Sequence, residues 1–583
     1  MIKLIAGFYI FFLLATSFVI LLVNPELMEY WFIHTAYYWV ALSVIWMIYF
    51  GSRAYLEDYS RWNHLLKRSF PFIVASVVIC VVLSIWIKPE LRVLADQTNI
   101  VAVSQSMHED RTVKNVTAGL WVNGRYVTHE YEIPIRPLLL PFLGSMVHAI
   151  KGYDWRNLYV INAAALAILL SMIGVYFVYR KKPVVGAVAI LLVIAQPVVS
   201  LTALSAGLEM LQITCIALTF ALLFVYLSRP SSIKLAALMA SLVLLLQTRY
   251  ESVLIVVIIM GMLLLARQIP FEYVKKHIIF YMLSPLYVYP FLVQRLLTWG
   301  FENETDPTKN IPTYSLQYTV ANIKHLLAQS VRWDTWYPYV AIINLLGLLG
   351  LGLILYRWIR ERDSVSRTAY LWSSCVILSF VAIYALIISF YGGNPTWPIS
   401  ARYYALACIV FSIVASVTLF KLRDFPFRNA LIILFSLVLL CIYLPSAHKN
   451  IFLNTQVLVR EFKVITHFLD EWNNRRDLVI YDRPGMLVVQ QQAAISFEEA
   501  NHTLRDLNAY KAEHQLKAIF VVQRLHLKTE APLSLAYFLN PAFKLKPLVT
   551  IPTSTHLLRI SLLTHQELSQ QTNASLALPS GSL

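Results

Sequence analysis

Two carboxylates lie next to long apolar runs, where a charged side chain is costly. Asp96 follows, by a few residues, the apolar run that ends at Ile87, and Glu209 opens another apolar run after SLTALSAG. A carboxylate at the edge of a bilayer can accept a proton from a hydroxyl group, so both acids are candidates for acid–base chemistry. The alternative is structural, because an acid in the first turn of a helix also satisfies free N–H groups and the helix dipole.

Three arginines lie beside similar runs. They occur in IPIRPLLLP (Arg136), LLLQTRYESVLI (Arg249) and NPTWPISARYYAL (Arg402). A guanidinium group binds phosphate through two parallel hydrogen bonds, and a lipid phosphate lies at this depth, so we expect these arginines to contact phosphate. For Arg249 an ion pair with Glu251 is the alternative, although residues two apart do not face each other on a helix.

The composition indicates a polytopic membrane protein. Of 583 residues, 58% are hydrophobic and 14% are charged, and the mean hydropathy is +0.62. No soluble core needs so much apolar surface. The net charge of +16 does not predict nucleic-acid binding, because most Lys and Arg fall in short loops, as the positive-inside rule requires. The five cysteines lie in apolar runs without metal-ligand spacing, so neither disulfides nor zinc are indicated.

About 13 membrane-spanning helices are predicted, with the N-terminus in the cytoplasm and a retained first helix rather than a cleaved signal peptide. The segment 137–150 is too short to cross and is expected to be interfacial or re-entrant. The run 233–266 is expected to form two short crossings with QTRYES at the outer turn. The predicted spans are 4–23, 31–50, 70–87, 158–179, 183–200, 208–227, two within 233–266, 277–298, 338–356, 369–391, 403–420 and 430–444.

Four parts of the chain are expected. They are an N-terminal helix pair with the cytoplasmic loop 51–69 (1–69), a membrane domain with outer loops 88–136 and 299–337 (70–445), an extracytoplasmic α/β domain (446–565) and a disordered tail (566–583). In the first outer loop, ADQTNIVAVSQSM predicts an amphipathic helix along the membrane surface, and Trp121 is expected in an interfacial aromatic belt. In the α/β domain, DLVIYD, MLVVQ, AIFVVQ, KLKPLVTIP and HLLRISLL predict strands, and 454–473 predicts an amphipathic helix.

The order of these motifs resembles the GT-C superfamily of integral-membrane glycosyltransferases, of the dolichyl-phosphate-mannose protein mannosyltransferase or lipid A aminoarabinose transferase type. The resemblance covers about 70–444 and the outward C-terminal domain. It rests on an acid soon after a helix exit (Asp96), YEIPIRPLLLPFLGSMVHAIKG, the outer turn SALSAGLEM, the arginine turn LLLQTRYES and the late "RY" pair of NPTWPISARYYAL, Arg402 and Tyr403. A single Asp96 followed by Gln97 stands where many relatives have paired acids.

The resemblance implies transfer of a sugar from a polyprenyl-phosphate carrier by inverting displacement. Asp96 would be the catalytic base, with Glu209 as a second catalytic residue on the same face, and Arg136, Arg249, Arg402 and Tyr403 would hold the lipid phosphate. The acceptor would be a glycolipid, a polysaccharide or a protein outside the cytoplasm, and the location a bacterial inner membrane. Some relatives need a divalent metal, but the sequence has no dedicated metal cage, and we expect no tightly bound cofactor.

Two other functions fit a polytopic protein. A polysaccharide polymerase or ligase also uses lipid-linked sugars, but it usually relies on arginine and histidine rather than on an early acid. A secondary transporter tends to have repeated halves and charges near the middle of the membrane, whereas most helix-associated charges here lie toward the outer ends.

Overall fold

The computed structural model divides into two compact units. The helical unit comprises Met1–Asn115 and Glu132–Arg460, and the sheet unit comprises Val116–Tyr131 and Glu461–Leu583. The described residues are 24–298, 313–330, 340–360, 366–421, 428–472, 477–503 and 517–564, without 88, 90, 92–93, 123, 397, 439, 442–444, 446–456, 535–537, 541–542 and 554. The predicted first span, the tail and most of the second outer loop therefore lie outside the described residues.

Helices form nearly all of the regular structure in the helical unit. In chain order they are α1 Pro25–Glu57, α2 Tyr59–Trp86, α3 Leu94–Glu109, α4 Leu139–Lys151, α5 Asn157–Tyr179, α6 Pro183–Ala195, α7 Pro197–Ala203, α8 Glu209–Ser228, α9 Ser232–Leu246, α10 Ser252–Leu265, α11 Phe271–Lys276, α12 Ile278–Thr298, α13 Leu316–Ser330, α14 Ala341–Arg360, α15 Arg367–Ser389, α16 Pro398–Ala401, the 3₁₀ helix Arg402–Tyr404, α17 Ala405–Lys421 and α18 Arg428–Val438.

Helix lengths support an integral membrane protein. Within the described residues six helices are long and apolar enough to cross a membrane, or seven if the bent pair α6–α7 is one span. The six are Pro25–Glu57, Tyr59–Trp86, Asn157–Tyr179, Glu209–Ser228, Thr368–Ser389 and Arg402–Phe420. The expectation of about 13 spans and of their orientation stays a prediction.

The run 233–266 is two helices, α9 and α10, as predicted. The break falls at 247–251, where polar and charged side chains interrupt the apolar sequence. The segment 137–150 is the 13-residue helix α4, which is shorter than the roughly 20 residues a span needs. The predicted span 183–200 is instead bent by 77° between α6 and α7. Pro197 begins the second piece, and proline cannot donate the hydrogen bond that would continue the first.

Three segments that were predicted to connect membrane spans contain helices, and the side of the membrane on which each lies stays a prediction. The stretch 51–69 is helical, because α1 and α2 run through it and meet at Asp58. The second outer loop contains the helix α13. In the first outer loop α3 forms where predicted, but its described side chains are buried on all sides (Gln97, Ile100, Val103, Gln105 and Met107 among them), so it is not an amphipathic surface helix.

Among its described residues the sheet unit has seven strands, in the order β2-β1-β4-β3-β5-β7-β6. Strand β3 is parallel to β4 and β5, whereas the pairs β1–β4, β5–β7 and β6–β7 are antiparallel. The elements are β1 Asn115–Val122, β2 Arg125–Glu132, α19 Val457–Trp472, β3 Leu478–Ile480, α20 Gly485–Val488, β4 Ala494–Ile495, α21 Phe497–His502, β5 Ile519–Leu525, β6 Lys544–Pro552 and β7 Leu557–Thr564.

The predicted helix 454–473 and the strands in DLVIYD, AIFVVQ, KLKPLVTIP and HLLRISLL are confirmed. MLVVQ was wrongly predicted as a strand, since it begins as helix α20. A further difference concerns the hairpin β1–β2, which belongs to the sheet unit although 88–136 was expected to be a loop of the membrane domain. Trp121 lies in this hairpin, packs against the core of the sheet unit and donates from Nε1 to Gln491 O (2.8 Å), so it is not a membrane-belt residue.

Candidate active site

Asp96 lies in the first turn of α3, and its carboxylate is held between two arginines. Arg136 Nη2 donates to Oδ1 over 2.5 Å, and Arg402 Nη2 donates to Oδ2 over 2.5 Å. Each carboxylate oxygen therefore has its own guanidinium partner, and the contacts join three segments far apart in the sequence. A helix-capping role alone would need neither arginine.

The two arginines determine the ionisation of Asp96. Burial is the largest single effect and disfavours the charged form, but the positive charges of Arg402 and Arg136 and their hydrogen bonds together outweigh it. They hold the pKa of Asp96 well below its usual range. In this arrangement Asp96 is a carboxylate anion and a weak base.

Glu209 is the second acid of the site and begins α8. Arg249 Nη1 donates to its Oε1 over 2.6 Å, and Arg402 Nε lies 3.3 Å from the same oxygen. The Glu209 side chain is buried, and burying an unpaired carboxylate would be costly. Arg402 thus bridges the two acids, with Nη2 at Asp96 and Nε at Glu209.

The turn before Glu209 is shaped to receive its side chain. A Cβ atom at Gly207 would lie 2.4 Å from Glu209 Oε2, so a larger residue at this position would displace the carboxylate. The buried side chain of Asn162, on α5, donates to Ser205 O (2.6 Å) and to Gly207 O (2.7 Å) and fixes the turn. The SALSAG sequence therefore positions the acid that follows it.

Arg249 lies in the turn between α9 and α10. Its Nε and Nη2 donate to the two oxygens of Glu251 over 3.1 and 2.8 Å. Because these residues lie in a turn, the objection that residues two apart do not face each other on a helix does not apply. Burial is the largest single effect and disfavours the Glu251 anion, but the charge and hydrogen bonds of Arg249, a backbone hydrogen bond and the charge of Arg136 together outweigh it and lower the pKa of Glu251.

The Tyr403 ring lies beside two arginines. Arg249 Cζ is 5.0 Å and Arg402 Cζ is 5.2 Å from the ring centroid, within the range of cation–π attraction. Arg402 Nη2 also donates to the Tyr403 hydroxyl over 3.3 Å. The aromatic ring keeps the two guanidinium groups close to each other despite their like charge.

These contacts form one network of three carboxylates and three arginines, which we call the charge network. Acid and arginine alternate along it, in the order Arg136, Asp96, Arg402, Glu209, Arg249, Glu251. Its formal charges cancel. An anion that enters must therefore compete with a carboxylate for a guanidinium group.

A cleft opens beside the charge network. Its polar end is formed by Glu209, Arg249, Glu251, Arg402 and Tyr403. The rest of its lining is mainly apolar and consists of Ile213, Ile383, Ile387, Leu406 and the ring of Tyr384, with Gln212 beside them. Charged and apolar side chains therefore adjoin each other along this cleft.

All six residues named from the sequence meet in the helical unit: Asp96, Arg136, Glu209, Arg249, Arg402 and Tyr403. Their roles in binding and catalysis stay predictions. Sequence reasoning gave Glu251 only as an alternative partner for Arg249 and missed Asn162, whose place in an apolar helix was the available signal. Among the described residues, no group of three or more His, Cys, Asp and Glu is close enough to hold a metal ion, and the absence of a tightly bound cofactor stays a prediction.

No model of a protein family matches the sequence. No curated protein matches it either.

Two crystal structures of ArnT from Cupriavidus metallidurans are similar to this chain. The structure bound to undecaprenyl phosphate has 13% sequence identity and a TM-score of 0.48, and the apo structure has 12% identity and a TM-score of 0.49. Each comparison covers 84% of this chain and 98% of the ArnT chain.

Proposed function

We propose that this chain is an integral-membrane glycosyltransferase. It transfers a sugar from a polyprenyl-phosphate carrier to a hydroxyl or amine of an acceptor outside the cytoplasm. The observation that carries the proposal is the charge network, of which two arginines and two carboxylates line a cleft whose other side chains are mainly apolar. This arrangement suits a substrate with both an anionic phosphate and a long hydrocarbon chain.

In the proposed complex the donor phosphate binds at the polar end of the cleft. Arg402 and Arg249 both line the cleft and both lie close to the Tyr403 ring, so they are suited to a phosphate that bridges them. The first isoprene units would lie along Ile213, Ile383 and Leu406. Undecaprenyl phosphate, the ligand of one of the ArnT crystal structures, belongs to this chemical class.

Binding of the donor would also activate Asp96. As long as Arg136 and Arg402 bind its two oxygens, Asp96 is a weak base. A phosphate group that takes Arg402 frees Oδ2 and removes one of the two charges that lower the pKa. Asp96 then becomes a stronger base only when the donor is bound, which limits wasteful reaction without substrate.

The reaction is a single displacement at the anomeric carbon. The acceptor oxygen or nitrogen forms the new bond, the bond from the anomeric carbon to the phosphate oxygen breaks, and the acceptor proton passes to Asp96. The transition state resembles an oxocarbenium ion, and negative charge grows on the departing phosphate. Because Asp96 gains a proton as the phosphate gains negative charge, the total charge of the site is the same before and after the step.

Purified protein in lipid nanodiscs provides the test. Radiolabelled polyprenyl-phosphate sugars are supplied with an extract of envelope glycolipids, and the release of polyprenyl phosphate and the labelling of the extract are measured. We expect both products to form together and to be lost in the double variant Arg249→Ala/Arg402→Ala.

Two results would contradict the proposal. The first is consumption of donor at an equal rate by the wild type and the double variant. The second is movement of the intact labelled donor across the membrane of sealed vesicles with no transfer, which would indicate a transporter.

A further inference from the structure

The backbone that carries Arg136 has no regular secondary structure. The segment 134–136 follows β2 and precedes α4, and prolines at 134 and 137 favour an extended chain and leave few N–H groups for local bonding. The carbonyl groups of Pro134, Ile135 and Arg136 therefore need partners from other parts of the protein. Side chains from two other elements provide them.

Gln294 satisfies two of these carbonyl groups. It lies near the end of α12 and is buried. Its Nε2 donates one hydrogen bond to Pro134 O and one to Arg136 O, each over 2.7 Å. Both protons of one amide group are thus used to fix the main chain on both sides of Ile135.

Tyr250 satisfies the carbonyl group between them. Its hydroxyl donates to Ile135 O over 2.6 Å. Tyr250 lies between Arg249 and Glu251, so the turn that contributes two members of the charge network also holds the segment with a third. Leu139 N donates to Gln247 O (3.1 Å), which attaches the start of α4 to the same turn.

We infer that Gln294, assisted by Tyr250, is a positioning residue that fixes the main chain of Arg136 so that its guanidinium group meets the charge network. This inference rests on the proposed function. Gln294 is not assigned a contact with substrate. It acts through Arg136, whose Nη2 reaches Asp96 only if the segment stays where the amide holds it.

A double-mutant cycle in the full-length protein tests the inference. Gln294→Met keeps the size of the side chain but removes both hydrogen bonds. We expect kcat/KM for the donor to fall about 10- to 100-fold, since a displacement of about 1 Å can have an effect of this size. In an Arg136→Ala background the same substitution should change kcat/KM less than about twofold, because the residue it acts through is gone.

Gln196 offers a matched control. It is buried at the bend between α6 and α7, donates to Asn344 Oδ1 (2.9 Å) and accepts from Val340 N (3.0 Å). Gln196→Met also removes two hydrogen bonds from a buried amide, but neither bond involves the segment 134–136 or a member of the charge network. Its effect on kcat/KM should be equal in the wild-type and Arg136→Ala backgrounds.

Tyr250→Phe is the milder second variant in case Gln294→Met does not fold. It removes one hydrogen bond of the three, so its effect should be smaller and should also disappear in the Arg136→Ala background. Equal effects in both backgrounds, for either variant, would overturn the inference and leave Gln294 a structural residue only.

Hydrogen exchange separates this inference from the proposed function. In Gln294→Met, amide exchange at 135–140 should rise whether or not the chain transfers sugar. If the wild type showed no transfer activity while Gln294→Met still showed this rise, the proposed function would be contradicted, but the attachment of the segment by Gln294 would stand. Unchanged exchange would overturn the inference directly.

Discussion

The two units each contain an arginine between two carboxylates and next to a tyrosine. In the helical unit Arg402 joins Asp96 and Glu209 and donates to Tyr403. In the sheet unit Arg524, on β5, donates to Glu461 Oε2 (2.9 Å), Asp482 Oδ2 (2.8 Å) and the Tyr481 hydroxyl (3.0 Å). The same four groups are used in both, but their surroundings differ.

Access distinguishes the two arrangements. The charge network includes residues at an open cleft, and the side chains of Arg136 and Glu251 are 32% and 25% exposed. The side chains of Arg524 and Glu461 are only 6% and 0% exposed, and His556 Nε2 lies 2.9 Å from Glu461 Oε1. A ligand can compete for the first arginine cluster, whereas the second joins α19, β3 and β5 inside the sheet unit.

The pKa values of Asp96 and Asp482, the aspartates of the two clusters, are shifted in opposite directions. Burial is the largest effect on both, and for Asp482 it outweighs Arg524 and Arg483, so the pKa of Asp482 is raised. For Asp96 two arginines outweigh burial, and the pKa is lowered. An arginine–carboxylate pair alone therefore does not identify a catalytic acid. The more informative feature is one carboxylate held by two guanidinium groups, in a network where an entering anion can compete for an arginine that lines a cleft.

The largest expected effect is on turnover in Asp96→Asn. Asparagine keeps the size of the side chain but cannot accept the acceptor's proton, so turnover should fall by about 10²- to 10⁴-fold while donor binding changes little. Single-turnover transfer and equilibrium binding of undecaprenyl phosphate measure the two quantities. Asp154→Asn is the control, because Asp154 is an exposed acid outside the charge network whose side chain accepts a bond from Arg156 N. Near-normal transfer by folded Asp96→Asn protein would contradict the role of Asp96.

Much of the site could be predicted because charges beside apolar runs are rare and costly. Asp96, Glu209 and Arg402 stood out for this reason, and each begins or flanks a helix as the sequence indicated. Gln294 did not stand out, since an uncharged amide in an apolar helix has many structural explanations. Its importance depends on contacts with a segment about 160 positions earlier, which no local pattern encodes.

The fold was predictable where the pattern was local. The break between α9 and α10 and the strands β5, β6 and β7 follow from sequence alone. The hairpin β1–β2 was missed although Asn123–Gly124, between runs rich in β-branched and aromatic residues, is a strong hairpin signal. Its place in a sheet whose other strands lie more than 300 residues later could not be predicted, because pairing over that distance is set by tertiary packing.

The next largest effect is on the stability of the sheet unit. Arg524→Met leaves Glu461 and Asp482 buried without the charge that balances them, which should cost about 3–5 kcal/mol. Protection of the β5 amides from hydrogen exchange in the full-length protein measures the loss. The triple variant Arg524→Met/Glu461→Met/Asp482→Leu should recover most of it, because no unpaired charge is left. If the single variant were as stable as the wild type, the comparison between the two clusters would fail.

A smaller effect is expected for Arg402→Lys. Lysine keeps the positive charge but has no planar fork, so it cannot bridge Asp96 and Glu209 and hold a phosphate group as arginine does. The loss of one charge-assisted contact should lower kcat/KM for the donor about 10- to 100-fold, and Arg402→Ala should lower it further. Steady-state kinetics with varied donor concentration give these values. Equal activity of the lysine variant and the wild type would mean that only the charge matters.

The smallest effect concerns the pair of His129 on β2 and Glu499 on α21, which attaches the hairpin within the sheet unit. The hydrogen bond that His129 donates to the Glu499 carboxylate raises the pKa of His129 despite partial burial, and the charges of Glu499 and Glu130 act in the same direction. A raised pKa in the folded state means that the stabilisation is fully present below the ordinary histidine pKa of about 6.5 and is lost as the pH rises through the raised value. Because the pair is partly exposed, it should contribute less than about 1 kcal/mol to the stability of the sheet unit.

Protection factors of the β1 and β2 amides, corrected for intrinsic exchange, should therefore be higher at pH 6 than at pH 9, and His129→Gln and Glu499→Gln should each remove that difference. If the wild type and both variants showed the same pH dependence, the hairpin would be held by its packing and by the Trp121–Gln491 bond instead.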